Sequence, residues 1–199
     1  QYDKEQLNII DFLTKTTGLL KETIIVLYNR GYDTKEKIQK FLNPGKHNFH
    51  SPYLLKGVDL AVERLKSAKT NNETVVIYGD YDVDGITATC IMIRYLRSRG
   101  AECTYYIPDR LGEGYGLNLQ AIKTLYDDGC RLLITVDSGI TAVEEAEYAA
   151  QIGLKLIVTD HHECRDVLPS ACAVINPHRP DCPYPFKELA GVGVVFKLV

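Results

Sequence analysis

A chain of 199 residues, 45% hydrophobic and 25% charged, has the composition of one large globular domain, or one domain with an extension. This excludes a disordered, collagenous or coiled-coil chain. Apolar runs as short as 132–136 exclude a membrane-spanning helix, which needs about 20 apolar residues. The net charge of −3 argues mildly against a polyanion-binding surface. Five aspartates, Asp80, Asp82, Asp84, Asp137 and Asp160, fall into one cluster described below. Setting them aside moves the remainder from −3 to +2, which tolerates a polyanion. The six cysteines (Cys90, Cys103, Cys130, Cys164, Cys172, Cys182) include no C-x-x-C pair, and several sit in apolar stretches. That pattern points to reduced thiols and a cytoplasmic protein, against a disulfide framework or a zinc ribbon.

Residues 1–45 read as a helical extension. Leu7, Ile10, Phe12 and Leu13 form one apolar stripe; Leu19, Leu20, Ile24 and Leu27 form another. Asp33 is placed to cap a third helix carrying Ile38, Phe41 and Leu42, which Asn43-Pro44-Gly45 ends. His47 and His50 follow in a loop without carboxylate or thiol neighbours, as surface residues. Residues 46–199 form the second domain. A helix with Val58, Ala61, Val62, Leu65 and Ala68 on one face leads into β-like runs at 75–79, 103–107, 132–136, 154–159 and 173–175. Helical stretches at 86–98, 117–128 and 142–152 separate them. The alternation predicts an α/β fold, a parallel sheet flanked by helices with right-handed crossovers; its strand order stays open. The chain stops within the apolar stretch 189–199, which reads as a helix expected to continue beyond Val199.

Ligands of such sheets bind outside the carboxyl ends of the strands. There the first run releases Asp80-Tyr81-Asp82-Val83-Asp84-Gly85, the third Asp137-Ser138-Gly139 and the fourth Asp160-His161-His162. Acids from three strands at one edge repel one another unless a cation sits among them. Oxygen and imidazole donors without thiolate favour Mn²⁺ or Mg²⁺, with Zn²⁺ or Co²⁺ as further candidates. So many carboxylates suggest two ions, about 3.5–4 Å apart, that share a carboxylate, activate water and clamp an in-line displacement at phosphorus. Gly85 is expected to open the next helix, whose amides favour an anion. The predicted reaction is hydrolysis of a phosphorus–oxygen bond.

Three rival readings fit less. An EF-hand loop wants Glu where Ile91 stands, and a helix where a strand precedes. A haloacid-dehalogenase-type phosphatase, with Asp82 as nucleophile, leaves the paired histidines unexplained. Helix-capping aspartates explain one acid per turn, not three in five residues. Two adjacent histidines point in different directions, so one ligates and the other contacts phosphate or donates a proton. Glu163 and Cys164 are expected to face away or pack.

The segments 75–87, Ile107-Pro108-Asp109-Arg110 with Gly114-Tyr115-Gly116-Leu117, 135–139 and 159–162 together resemble the DHH phosphoesterase superfamily. With Asn176-Pro177-His178-Arg179 and 189–193, their wording is similar to its branch of single-strand-DNA-specific 5′→3′ exonucleases. The resemblance spans residues 43–199, and a helical N-terminus fits it. It implies a Mn²⁺-dependent two-metal nuclease of DNA repair and recombination. Asp82 and Asp84 would each lead one ion, Asp137 would bridge, and His161 would complete the second. Asp80 would be a further ligand or lie just behind the ligands; Asp160 and His162 would stand behind them or face substrate. Arg110 would meet phosphate, as would, more weakly, Arg179 and Lys187. Single-stranded DNA is the implied partner, with single-strand-binding protein and repair helicases by family analogy, and no membrane. Family members carry a further metal-binding aspartate downstream, a DHHA1 lid domain and an oligonucleotide-binding barrel, none of which these residues contain. Other members that cut oligoribonucleotides, cyclic dinucleotides or pyrophosphate, and inactive DNA-binding scaffolds of the same fold, remain alternatives.

Overall fold

Alternation of side chains along five short strands decides this architecture. The structure is a computed structural model that describes all residues except 1, 110, 111, 113 and 115, and except the side chain of His47. It divides into two units, Gln1–Phe49 and His50–Val199. In the first unit α1 (Lys4–Thr17), α2 (Lys21–Asn29) and α3 (Lys35–Leu42) close over Ile10, Leu13, Ile24, Leu27 and Ile38. Leu7, Phe12, Leu20, Phe41 and Leu42 are exposed, because three helices this short bury one narrow stripe each. The cap of α3 is Thr34, whose hydroxyl accepts the Lys37 amide; Asp33 pairs instead with the Lys37 ammonium.

The second unit begins with α4 (Val58–Thr70) and continues β1 (Val75–Tyr78), α5 (Val83–Ser98), β2 (Cys103–Tyr106), α6 (Leu119–Asp127), β3 (Leu132–Val136), α7 (Val143–Gln151), β4 (Lys155–Thr159), β5 (Ala173–Ile175) and α8 (Gly191–Leu198). Its sheet has the order β2-β1-β3-β4-β5, and every neighbouring pair is parallel. Val75, Ile77, Ile134, Val136 and Ile157 pack on the side of α4, α5 and α8. Val76, Tyr78, Leu133, Leu156 and Val158 pack on the side of α6 and α7. A sheet covered on both faces needs strands apolar at every position, which β1 and β3 largely are. No described helix is long and apolar enough to cross a membrane.

Winding reverses between β1 and β3. The chain passes from β1 outward to β2, returns across β1 to β3, and then runs on to β4 and β5. The carboxyl ends of β1 and β3 therefore flank the crevice where such sheets bind ligands. At the two rims arginines hold outward-facing carbonyls: Arg97 donates to the Cys103 carbonyl (3.1 Å from Nη2), and Arg179 to the Val174 carbonyl.

Helix α5 starts at Val83, three residues earlier than the spacing suggests. Asp82 is its N-cap and accepts the Gly85 amide at 3.0 Å, so this amide faces the protein's own carboxylate and is not open to an anion. Gly85 is needed for space. A Cβ there would lie 2.6 Å from the backbone N and O of Asp80. Gly85→Ala is expected to cost about 1–3 kcal/mol despite its better helix propensity; an unchanged urea midpoint would show that the loop yields.

Candidate metal centre

Asp137 is the centre of the site. It follows β3 directly, is 1% exposed, and takes a left-handed backbone conformation (φ 61°) that non-glycine residues rarely adopt. Its amide donates to the Thr159 carbonyl of β4, which fixes the turn. Ligand-type atoms converge on it from both sides. Asp80, Asp82 and Asp137 place one oxygen each within 4.8 Å of one another, and so do Asp137, His161 and His162 with their oxygen and ring nitrogens. Asp84 approaches the second group, with Oδ2 3.6 Å from His161 Nε2, while Asp137 Oδ1 lies 3.1 Å from the same nitrogen. The ring nitrogen is close to Asp137 Oδ1 but off the hydrogen-bonding line, and that buried oxygen has no hydrogen-bond partner. A buried carboxylate oxygen left unpaired is costly unless a cation meets it. The donor set and this orphaned oxygen fit a divalent oxygen- and imidazole-preferring ion.

Backbone amides aim the surrounding carboxylates. Asp80, 3% exposed at the end of β1, accepts the Tyr81 amide at 2.7 Å. Asp82 is exposed at the mouth. Asp84 is partly buried, with Oδ2 accepting the Gly191 amide at 2.7 Å and Oδ1 the Val192 amide at 2.6 Å, both from the first turn of α8. Asp160 is buried and accepts four times: from the amides of Ile140 (2.9 Å), His161 (2.7 Å) and His162 (3.1 Å), and from His162 Nδ1 (2.7 Å). It thereby shapes the loop and fixes the His162 ring, whose centroid lies 4.5 Å from that of His161.

The charges shift accordingly. Burial, reinforced by the Asp84 and Asp82 carboxylates, pushes Asp137 up to about 7. Burial would also raise Asp160, but the hydrogen bonds from His162 and the Ile140 and His162 amides outweigh it and hold Asp160 low. The Asp160 hydrogen bond raises His162.

Other expectations meet the structure differently. Arg110 lies outside the described residues. Arg179 is not free for phosphate: its Nε and Nη2 grip the Asp181 carboxylate at 2.9 Å each, and Nη1 holds the Val174 carbonyl. Lys187 donates to the Cys182 carbonyl at 2.7 Å. Glu163 faces outward and pairs with His178 Nδ1 at 3.0 Å, and Cys164 packs against the α6–α7 side core. Sequence reasoning missed two supports. Asn176, fully buried just after β5, donates to the His162 carbonyl at 2.9 Å and accepts the His178 amide at 2.7 Å. Its place at a strand's carboxyl end was the available signal. The α8 amides on Asp84 are the other, and 107 residues of separation hide them.

The model of the DHH family, N-terminal domain, matches residues 74–199. The single-stranded-DNA-specific exonuclease RecJ of Bacillus subtilis (strain 168) is 48% identical over 186 residues, 94% of this chain and 24% of that protein. A RecJ structure in complex with Mn²⁺ from Thermus thermophilus superposes with a TM-score of 0.74 at 28% identity, covering 96% of this chain and 26% of the other. Another, of exonuclease RecJ bound to manganese, gives 0.67 at 35% identity, covering 72% and 36%. The chain thus spans about a quarter of the length of the curated relatives it matches.

The raised Asp137 gives a stability profile. Its folded pKa exceeds the ordinary 3.8, so its contribution is complete below pH 4 and is lost as pH rises through about 7. The loss amounts to at most about 4 kcal/mol. His162, also raised, acts in the same direction, with a contribution present below its ordinary 6.5 and lost as pH rises through its higher folded pKa, whereas Asp160, held low, loses its contribution only in acid. Metal-free protein is expected to melt lower at pH 8 than at pH 5.5, and Mn²⁺ to raise the melting temperature more at pH 8. Paired thermal scans check this, and a flat metal-free profile would contradict it.

Proposed function

This chain belongs to the DHH family, and on that premise we propose that it is the metal-bearing part of a 5′→3′ exonuclease for single-stranded DNA acting in DNA repair and recombination. The observation that carries the reading is the buried Asp137 carboxylate, shared by two ligand groups at the sheet's winding reversal. Asp82 and Asp80 would hold one ion, Asp84 and His161 the other, and Asp137 would contribute to both. Mn²⁺, or Mg²⁺ in its place, would supply Lewis acidity to the phosphate and would lower the pKa of a bound water.

The chain's own groups do the rest. Asp160 locks the His162 tautomer through Nδ1, which makes Nε2 the nitrogen that serves phosphate or the departing 3′ oxygen. Arg110 is assigned to phosphate through the family motif, suited by its planar fork. Arg179 takes no such role. The partner is single-stranded DNA; single-strand-binding protein and repair helicases follow by analogy, as does a cytoplasmic location. The 48% identity to a single-stranded-DNA-specific exonuclease supports this substrate over short oligoribonucleotides or pyrophosphate.

A 3′-labelled single-stranded oligonucleotide in Mn²⁺ is expected to give a ladder shortening from the 5′ end. Asp137→Ala is expected to lower that activity by more than about 100-fold. Equal activity in the variant would overturn the assignment of the centre. No cleavage, by this chain or by a longer chain containing it, would overturn the nuclease reading.

A further inference from the structure

Resting on the metal-centre reading above, we propose that the entry into α8 is itself part of the centre: the Gly191 and Val192 amides position Asp84, and the missing side chain of Gly191 makes the space Asp137 occupies. The first turn of every helix has amides without intrahelical acceptors. In α8 the N-cap is Ala190, whose side chain accepts nothing, so the cap is supplied from elsewhere. Both Asp84 oxygens supply it, at 2.7 and 2.6 Å. This contact does two things at once. It satisfies two first-turn amides of the helix with one carboxylate. It also fixes the carboxylate plane so that Oδ2 still approaches His161 Nε2 at 3.6 Å.

Gly191 has no conformational reason to be glycine. Its φ is not among the positive values, and glycine costs a helix about 1 kcal/mol relative to alanine. The reason is room. A Cβ at Gly191 would stand 2.3 Å from Asp137 Oδ1 and 2.7 Å from its Cβ and Cγ. Asp137, buried and held in a rare backbone conformation, has little freedom to retreat. Gly193, two residues on, differs: a Cβ there would meet only the Leu189 side chain, at 3.3 Å and beyond. The two glycines of one helix therefore have separable roles, the first in the metal centre and the second in packing.

The test is Mn²⁺ calorimetry on the 199-residue chain, with far-UV circular dichroism to confirm folding. Gly191→Ala is expected to weaken Mn²⁺ binding by about 10–100-fold, the range for groups that orient metal ligands, while Gly193→Ala stays within about twofold. Val192→Pro is the second variant. It removes one of the two amides that hold Asp84 and sets its ring Cδ where that amide hydrogen lay, so Asp84 Oδ1 has to move away. It is expected to weaken Mn²⁺ binding with the fold intact, and it decides alone if Gly191→Ala does not fold. Wild-type affinity in both variants would overturn the proposal. A wild-type chain that takes up no Mn²⁺ would overturn the metal reading itself, and this inference with it.

Discussion

The arrangement at the carboxyl edge of the sheet follows from putting a carboxylate, Asp137, where water cannot solvate it. Asp137 sits just after β3, the strand next to β1 at the reversal of winding, and its buried Oδ1 has no hydrogen-bond partner although His161 Nε2 lies 3.1 Å away, which makes the metal-free centre electrostatically unfavourable. The rest of the second unit compensates in kind. Amides satisfy Asp80, Asp84 and Asp160, a glycine makes room for Asp137, and Asn176 ties down the loop that carries both histidines. Little of this relieves Asp137 itself. Asp137 is left buried beside the Asp82 and Asp84 carboxylates with Oδ1 lacking a hydrogen bond, which is the arrangement that favours binding a cation.

Much of the second unit could be read from the sequence, because its signals are local. The buried strands are short apolar runs, and a parallel sheet forces their carboxyl ends to one edge, so Asp80, Asp137 and Asp160 point to a common site before any geometry is known. What escapes such a reading is long-range. The strand order depends on pairings such as Val75 with Leu132, which no local pattern encodes. The grip of α8 on Asp84 joins residues that only the folded sheet brings together. Arg179 escapes for a different reason. As a lone cation near a strand end it suits phosphate, but Asp181 two residues on and the Val174 carbonyl use its guanidinium first. The start of α5 is obscured because Asp82 is both a candidate ligand and a good helix cap, and the cap brings Asp84 into the first turn.

The first unit follows a simpler logic. Five buried aliphatic side chains and a capping box at Asp3 account for three short helices, and no ligand-type cluster among the described residues falls within it. Its exposed Phe12 and Leu20 show how little interior so small a unit can offer.

The arginines at the rims of the sheet bear on a hazard that has nothing to do with catalysis. A parallel sheet with open edges invites a strand from another molecule to add on, and addition of that kind begins aggregation. Here the outward carbonyl of Cys103 on β2 and that of Val174 on β5 already accept from Arg97 and Arg179. An incoming strand would have to displace a charged donor to reach either of these two carbonyls. Each edge of the five-stranded sheet thus carries one backbone acceptor already taken by an arginine, which makes β2 and β5 poorer templates for a further strand.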